Sequence, residues 1–206
     1  MPEPNHTVCR FFLFLSLLLS ACGVSSSISA KIHSSPEWVA HQKKVSNLTH
    51  YQTCGAFAYL SSDQKVYARF NWHQISANRY RLILTNPLGA TEMDINIQLN
   101  KGRFINKQGK CYTGTDPEMM IKKLAGIPIP INDLRQWMLG LPGHASNFTL
   151  DSRGYLHTLH QCYNGQIWTV NYQKYYEEIV PAMPERMQLN QGDNCIKLKM
   201  DSWRLS

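Results

Sequence analysis

Thr91-Glu92-Met93-Asp94-Ile95-Asn96-Ile97-Gln98-Leu99 alternates without a break: Met93, Ile95, Ile97 and Leu99 are apolar, and Glu92, Asp94, Asn96 and Gln98 between them are polar. A period of two sends successive side chains to opposite faces, so the stretch reads as a half-buried β-strand with all four apolar side chains on one side. The same pattern recurs upstream. Val66, Ala68, Phe70 and Trp72 alternate with Tyr67, Arg69, Asn71 and His73, and Tyr80, Leu82 and Leu84 alternate with Arg79, Arg81 and Thr85. Downstream, Asn164-Gly165 separates 155–163 from 166–172, and both residues tolerate the positive φ of a type I′ hairpin turn. Further strands are expected near 52–60, 103–107, 147–151, 186–190 and 195–200, with turns at 106–109, 151–154 and 191–194. Some ten or eleven strands with short loops make a mainly β, antiparallel chain, which curls into a barrel or sandwich to avoid open edges.

Three segments break this rhythm. Ser35-Pro36-Glu37 has a capping hydroxyl followed by proline, and Trp38, Val45 and Leu48 follow at helical spacing, which predicts a helix over 36–50. Asp116-Pro117-Glu118 caps a short helix carrying Met120, Ile121 and Leu124 and stopping at Gly126. Asn132-Asp133 reads as the cap of another, carrying Leu134, Trp137, Met138 and Leu141 and stopped by Pro142-Gly143. Ile127-Pro128-Ile129-Pro130-Ile131 between them is a stiff apolar connector, and the whole excursion reads either as a lid over one end of the curved sheet or as ordinary core packing.

The 206 residues are 43% hydrophobic and 17% charged, a globular composition that excludes a disordered chain or a polytopic membrane protein. The 11% aromatic content fits either a large core or an apolar surface kept for a ligand, and composition alone does not choose. A net charge of +7 favours anionic lipid headgroups or acidic partners. The longest basic runs are Lys43-Lys44 and Lys122-Lys123, with no interleaved aromatics, which argues against a nucleic-acid role.

Residues 1–21 read as a secretory signal peptide: Arg10 precedes Phe-Phe-Leu-Phe-Leu-Ser-Leu-Leu-Leu at 11–19, too short to span a bilayer. Leu19-Ser20-Ala21-Cys22 resembles a lipobox, in which the Cys22 thiol takes a diacylglycerol and Cys22 becomes the first residue of the mature chain. Residues 22–35, with Ser25, Ser26, Ser27 and Ser29, form a flexible tether, and 36–206 form a single domain. By resemblance to enterobacterial-type sorting rules, the absence of Asp at position 24 implies an anchor in the outer membrane, with the domain facing the periplasm.

Catalytic patterns are missing: there is no Gly-x-Ser-x-Gly elbow, Gly-rich phosphate loop or His-Glu-x-x-His. His157 and His160 are three apart in a predicted strand and point to opposite faces, so no metal site is expected there. Cys54, Cys111, Cys162 and Cys195 permit two disulfides in three connectivities or remain free thiols. The sequence therefore predicts no catalytic residue, metal or cofactor. Thr85-Asn86-Pro87-Leu88-Gly89-Ala90 is a turn between two strong strands with a leucine at its tip, where a polar residue is usual.

Taken together, the Cys22 lipobox, Phe70-Asn71-Trp72-His73-Gln74, Asn86-Pro87-Leu88-Gly89, Gly126-Ile127-Pro128-Ile129-Pro130, Trp137-Met138-Leu139-Gly140-Leu141-Pro142 and Ile196-Lys197-Leu198-Lys199-Met200 with Trp203 resemble the LolB family of outer-membrane lipoproteins. The resemblance implies an incomplete antiparallel β-barrel with a helical lid, enclosing an apolar cavity for acyl chains. It implies receipt of triacylated lipoproteins from the periplasmic carrier LolA and their insertion among outer-membrane phospholipids by a monomer. Within that picture Pro87, Leu88 and Gly89 form the loop that engages the membrane, and the apolar faces carrying Phe70, Trp72, Tyr80, Leu82, Leu84, Met93, Ile95 and Ile97, with Trp137 and Leu141 from the lid, line the cavity. The alternatives are a structural lipoprotein whose apolar face is simply core, and a lipid-anchored hydrolase.

Overall fold

The computed structural model of the chain describes residues 35–99, 101–163 and 165–206; the signal segment, Cys22 and the tether up to residue 34 lie outside them, as does Asn164 of the predicted hairpin turn. Helix α1 (Pro36–Ser46) comes first, followed by β1 (Tyr51–Leu60), β2 (Lys65–Ser76), β3 (Arg79–Thr85), β4 (Thr91–Gln98), β5 (Lys101–Asn106) and β6 (Cys111–Gly114). Then come α2 (Pro117–Ala125) and α3 (Ile131–Met138), and finally β7 (Asn147–Leu150), β8 (Leu156–Tyr163), β9 (Gln166–Tyr176), β10 (Met183–Gln191) and β11 (Asn194–Leu205).

The eleven strands among the described residues form one sheet in the order β6-β5-β4-β3-β2-β1-β11-β10-β9-β8-β7. Sequence neighbours pair as antiparallel ladders, and the first and last strands join the two halves. The barrel is incomplete because β6 and β7 are edges, and the chain between them holds α2 and α3. Both edge strands are only four residues long, which limits the unpaired backbone they present.

Registered rows of side chains form the concave face. Thr53, Trp72, Leu82, Ile95, Phe104 and Tyr112 stand side by side from β1 to β6. In the other half the row runs Tyr59, Ile196, Leu189, Val170, Leu159 and Phe148. These apolar rows and the underside of the α2–α3 insertion make one continuous core within residues 35–206. Between the halves, Gly55 sits at a register shift in the β1–β11 ladder, and a Cβ there would stand 1.9 Å from the Lys199 carbonyl oxygen. Only glycine fits so close an approach.

Four expectations are corrected. Leu99 leaves the inner face of β4: it is 69% exposed with φ 47°, because its N–H turns to the Asn78 carbonyl and begins the next turn. Helix α1 ends at Ser46 rather than 50, where Asn47 and the bond from Leu48 N–H to the Val45 carbonyl close the chain into a turn. Strand β6 is absent from the expected strands because it is four residues long with no period to read. In α3, Asn132 and Asp133 are not the cap: the helix begins at Ile131 after Pro130, and Asp133 is buried beside His144 at 3.2 Å. The Ser35 and Asp116 caps stand as expected, accepting from Trp38 N–H and Met119 N–H.

Candidate functional site: a lidded apolar cavity and an exposed leucine

The insertion lies across the concave face. Ile121 of α2, Ile129 of the connector, and Ile131, Leu134 and Met138 of α3 face Phe57, Phe70, Trp72, Leu82, Leu84, Ile95 and Leu198 of the sheet around a wholly apolar cavity. Its free space is about 30 Å³, room for a water or two and far below the several hundred Å³ of a small-molecule pocket. The lid is therefore shut on its own side chains.

Polar bonds hold it there. Tyr172 of β9 donates to the Trp137 carbonyl at 2.9 Å, Arg135 donates to the Ala77 carbonyl of the β2–β3 turn at 2.6 Å, and Gln64 of the β1–β2 turn donates to the Gly126 carbonyl at 3.2 Å. Glu118 of α2 accepts from the Tyr163 hydroxyl of β8, and burial pushes its carboxyl above the usual range.

Of the residues expected around the cavity, Phe70, Trp72, Leu82, Leu84 and Ile95 meet there. Tyr80 and Ile97 lie one inward row further along, beside a polar vestibule; Met93 is buried outside the lining; Leu141 faces a separate depression near the end of α1. Trp137 is fully buried but turns toward Trp168, with ring centroids 6.4 Å apart. The additional lining residues Phe57 and Leu198 come from strands, and Ile121, Leu134 and Met138 were legible as helix residues; what joins them is nonlocal packing.

The β3–β4 loop is built to hold a leucine in water. The Asn86 side chain accepts from the N–H groups of Leu88 and Ala90 (both 3.0 Å), its carbonyl accepts from Gly89 N–H (2.9 Å), and Gly89 supplies the φ of +89° that the turn needs. Leu88 is 95% exposed at its tip. The four thiols Cys54, Cys111, Cys162 and Cys195 are free and sit on β1, β6, β8 and β11. His157 and His160 are both exposed, and no cluster of three or more His, Cys, Asp or Glu side chains able to hold a metal occurs among the described residues.

Residues 49–203 match the family described as Outer membrane lipoprotein LolB. Over all 206 residues and the full length of each relative, the chain is 64% identical to the Outer-membrane lipoprotein LolB of Sodalis glossinidius and 49% identical to that of Serratia proteamaculans. Its backbone is similar to that of a LolA superfamily protein from Nitrosomonas europaea, with TM-score 0.53 at 11% identity over 82% of this chain and 93% of that one. A DUF1329 family protein from Desulfovibrio piger gives TM-score 0.51 at 5% identity, over 86% and 93%. At such identities those two likenesses concern the fold alone, the open barrel. The sequence matches go further, since one spans most of the chain and the others all of it: the chain belongs to the LolB family of outer-membrane lipoproteins.

Proposed function

We propose that this protein accepts triacylated lipoproteins from the periplasmic carrier LolA, shelters their acyl chains beneath the α2–α3 lid, and delivers them into the outer membrane to which Cys22 anchors it. The observation that carries the reading is an apolar barrel interior covered by the helical α2–α3 insertion, in the same molecule as a leucine held out in water on a braced turn. An acyl chain passing through water would expose up to ~14 methylenes at a cost of roughly 11 kcal/mol, so transfer needs direct contact between cavities. Loading requires the lid to leave, and the cost stays small because the incoming chain covers the apolar surface that Ile121, Ile129, Leu134 and Met138 uncover. No nucleotide or metal is needed if each successive site binds the acyl chains more tightly.

Pro87, Leu88 and Gly89 are the element that enters the bilayer. On the convex face, at the level of that loop, the register runs from Thr85 through Arg69, Ala56, Lys199 and Arg186 to Lys174. Asp201 pairs with Arg69 (2.7 Å) and Lys199 (3.1 Å), and Glu185 pairs with Lys174 (2.7 Å). Arg186, and Lys197 one row further, carry no ion pair among the described residues. This band favours anionic headgroups as Leu88 inserts. The chain acts as a monomer: its other exposed large apolar side chains, such as Val39, Tyr67, Ile167 and Val180, belong to separate elements.

The test is to incubate the soluble domain, residues 23–206, with a LolA-bound triacylated lipoprotein and pull it down, and to run Leu88→Glu in the anchored form with liposomes. The soluble domain, with or without the Leu88→Glu change, is expected to take the lipoprotein, and of the two anchored forms only the one with Leu88 is expected to deliver it. A folded domain that never acquires cargo rejects the relay and leaves the apolar interior as ordinary core.

A further inference from the structure

Beside the apolar cavity lies a second, polar pocket of about 350 Å³, between the lid and the end of the sheet where β3 begins and β4 ends. Tyr80, Glu118, Asn132 and Arg135 are among its walls. The inward row Gln74, Tyr80, Ile97 is two residues along the strands from the cavity row Trp72, Leu82, Ile95, which separates the two compartments by about 7 Å. The Tyr80 ring stacks on Trp72, with centroids 4.7 Å apart and planes 10° from parallel, so this pair forms the partition.

The donors here are not all used. Tyr80 is 1% exposed and its hydroxyl has no hydrogen-bond partner among the described residues; Arg135 stands over its ring at 5.0 Å with Nε likewise unpartnered there, though Nη2 is committed to Ala77. Buried donors left unmet are costly and point to an acceptor from outside. The carboxylates of Asp116 and Glu118 in the same pocket disfavour an anion. The missing acceptor is therefore neutral.

We propose that this vestibule receives the ester and amide carbonyls of the glyceryl-cysteine junction of a triacylated lipoprotein, with the Tyr80 hydroxyl and Arg135 Nε as donors. The inference rests on the acyl-relay reading above and supplies what that reading lacks, a way to tell a lipoprotein from any other apolar chain. When the lid recloses over a loaded chain, the carbonyl end of that chain lies past the Trp72–Tyr80 partition, between the Tyr80 hydroxyl of the sheet and Arg135 of the lid.

Tyr80→Phe deletes the hydroxyl and keeps the stacked ring. Because the core closes within residues 35–206, the variant can be compared with the parent as soluble domains, using a tripalmitoylated cysteinyl peptide and the hydrocarbon probe diphenylhexatriene, which has no acceptor. The expected result is about a three- to tenfold weaker affinity for the lipopeptide, the size of one hydrogen bond, with the hydrocarbon unchanged. Unchanged lipopeptide affinity, or equal loss for both probes, overturns the vestibule while leaving the relay standing. If the parent binds neither probe, the relay reading fails and this proposal with it.

Discussion

The hydroxyl of Tyr172 on β9 donates to the carbonyl of Trp137, the penultimate residue of α3, at 2.9 Å, and both side chains are buried. That carbonyl also accepts from Gly140 N–H at 2.9 Å, so a helix end that would otherwise lack partners is satisfied twice over. Tyr172→Phe leaves one bond in place and should cost about 1 kcal/mol. Because the bond lies between sheet and lid, uptake of an apolar fluorescent probe should also become faster. Urea denaturation and stopped-flow uptake measure the two effects; destabilisation with an unchanged uptake rate would show that this contact does not restrain the lid.

Ile95 is fully buried in the middle of the row from Thr53 to Tyr112 and lines the cavity. Ile95→Ala removes apolar contact and enlarges a void that the lid cannot refill, for an expected loss of about 2–5 kcal/mol in urea or thermal unfolding. A loss below about 1 kcal/mol would mean that the lid settles inward and that the interior is more compliant than its packing implies.

Gly55→Ala drives a Cβ to within 1.9 Å of the Lys199 carbonyl oxygen, at the ladder that joins the two halves of the sheet. Backbone must move, and we expect a loss of at least about 2 kcal/mol. Full retention of the parent's melting temperature would show that the β1–β11 register can shift freely.

Burial pushes the phenol groups of Tyr51, Tyr80, Tyr172 and Tyr175 above their usual range. Their neutral forms belong to the folded state, so the associated stability is fully present below the ordinary phenol pKa of about 10 and is lost as pH rises beyond it. Each group removes up to about 1.4 kcal/mol of stability per pH unit there. Tyrosinate absorbance from these four should rise together with loss of the circular-dichroism signal. Their complete ionisation in a chain that keeps its native spectrum would contradict the assignment.

Much of the architecture is written locally. Alternation is a property of neighbouring residues, so the strands around Phe70, Leu82 and Ile95 and their inward faces were legible directly. The same holds for the Asn86-to-Ala90 turn, where an Asx side chain and a glycine suffice to put Leu88 outside. Leu99 shows where that logic stops: it continues the alternation of β4, yet a bond to Asn78, twenty-one residues earlier, turns it out to solvent.

The tertiary structure decided which apolar residues share one space. Trp137 and Met138 are adjacent on α3, but Met138 faces the cavity while Trp137 packs toward Trp168 and Leu141 beyond the helix faces another depression. The need for glycine at 55 comes from β11, nearly the whole chain away, and the unmet hydroxyl of Tyr80 comes from the lid above it. Periodicity assigns a side chain to a face, because that depends only on backbone geometry. Contacts across the barrel depend on how distant strands and the lid settle against one another, and no local pattern encodes that distance.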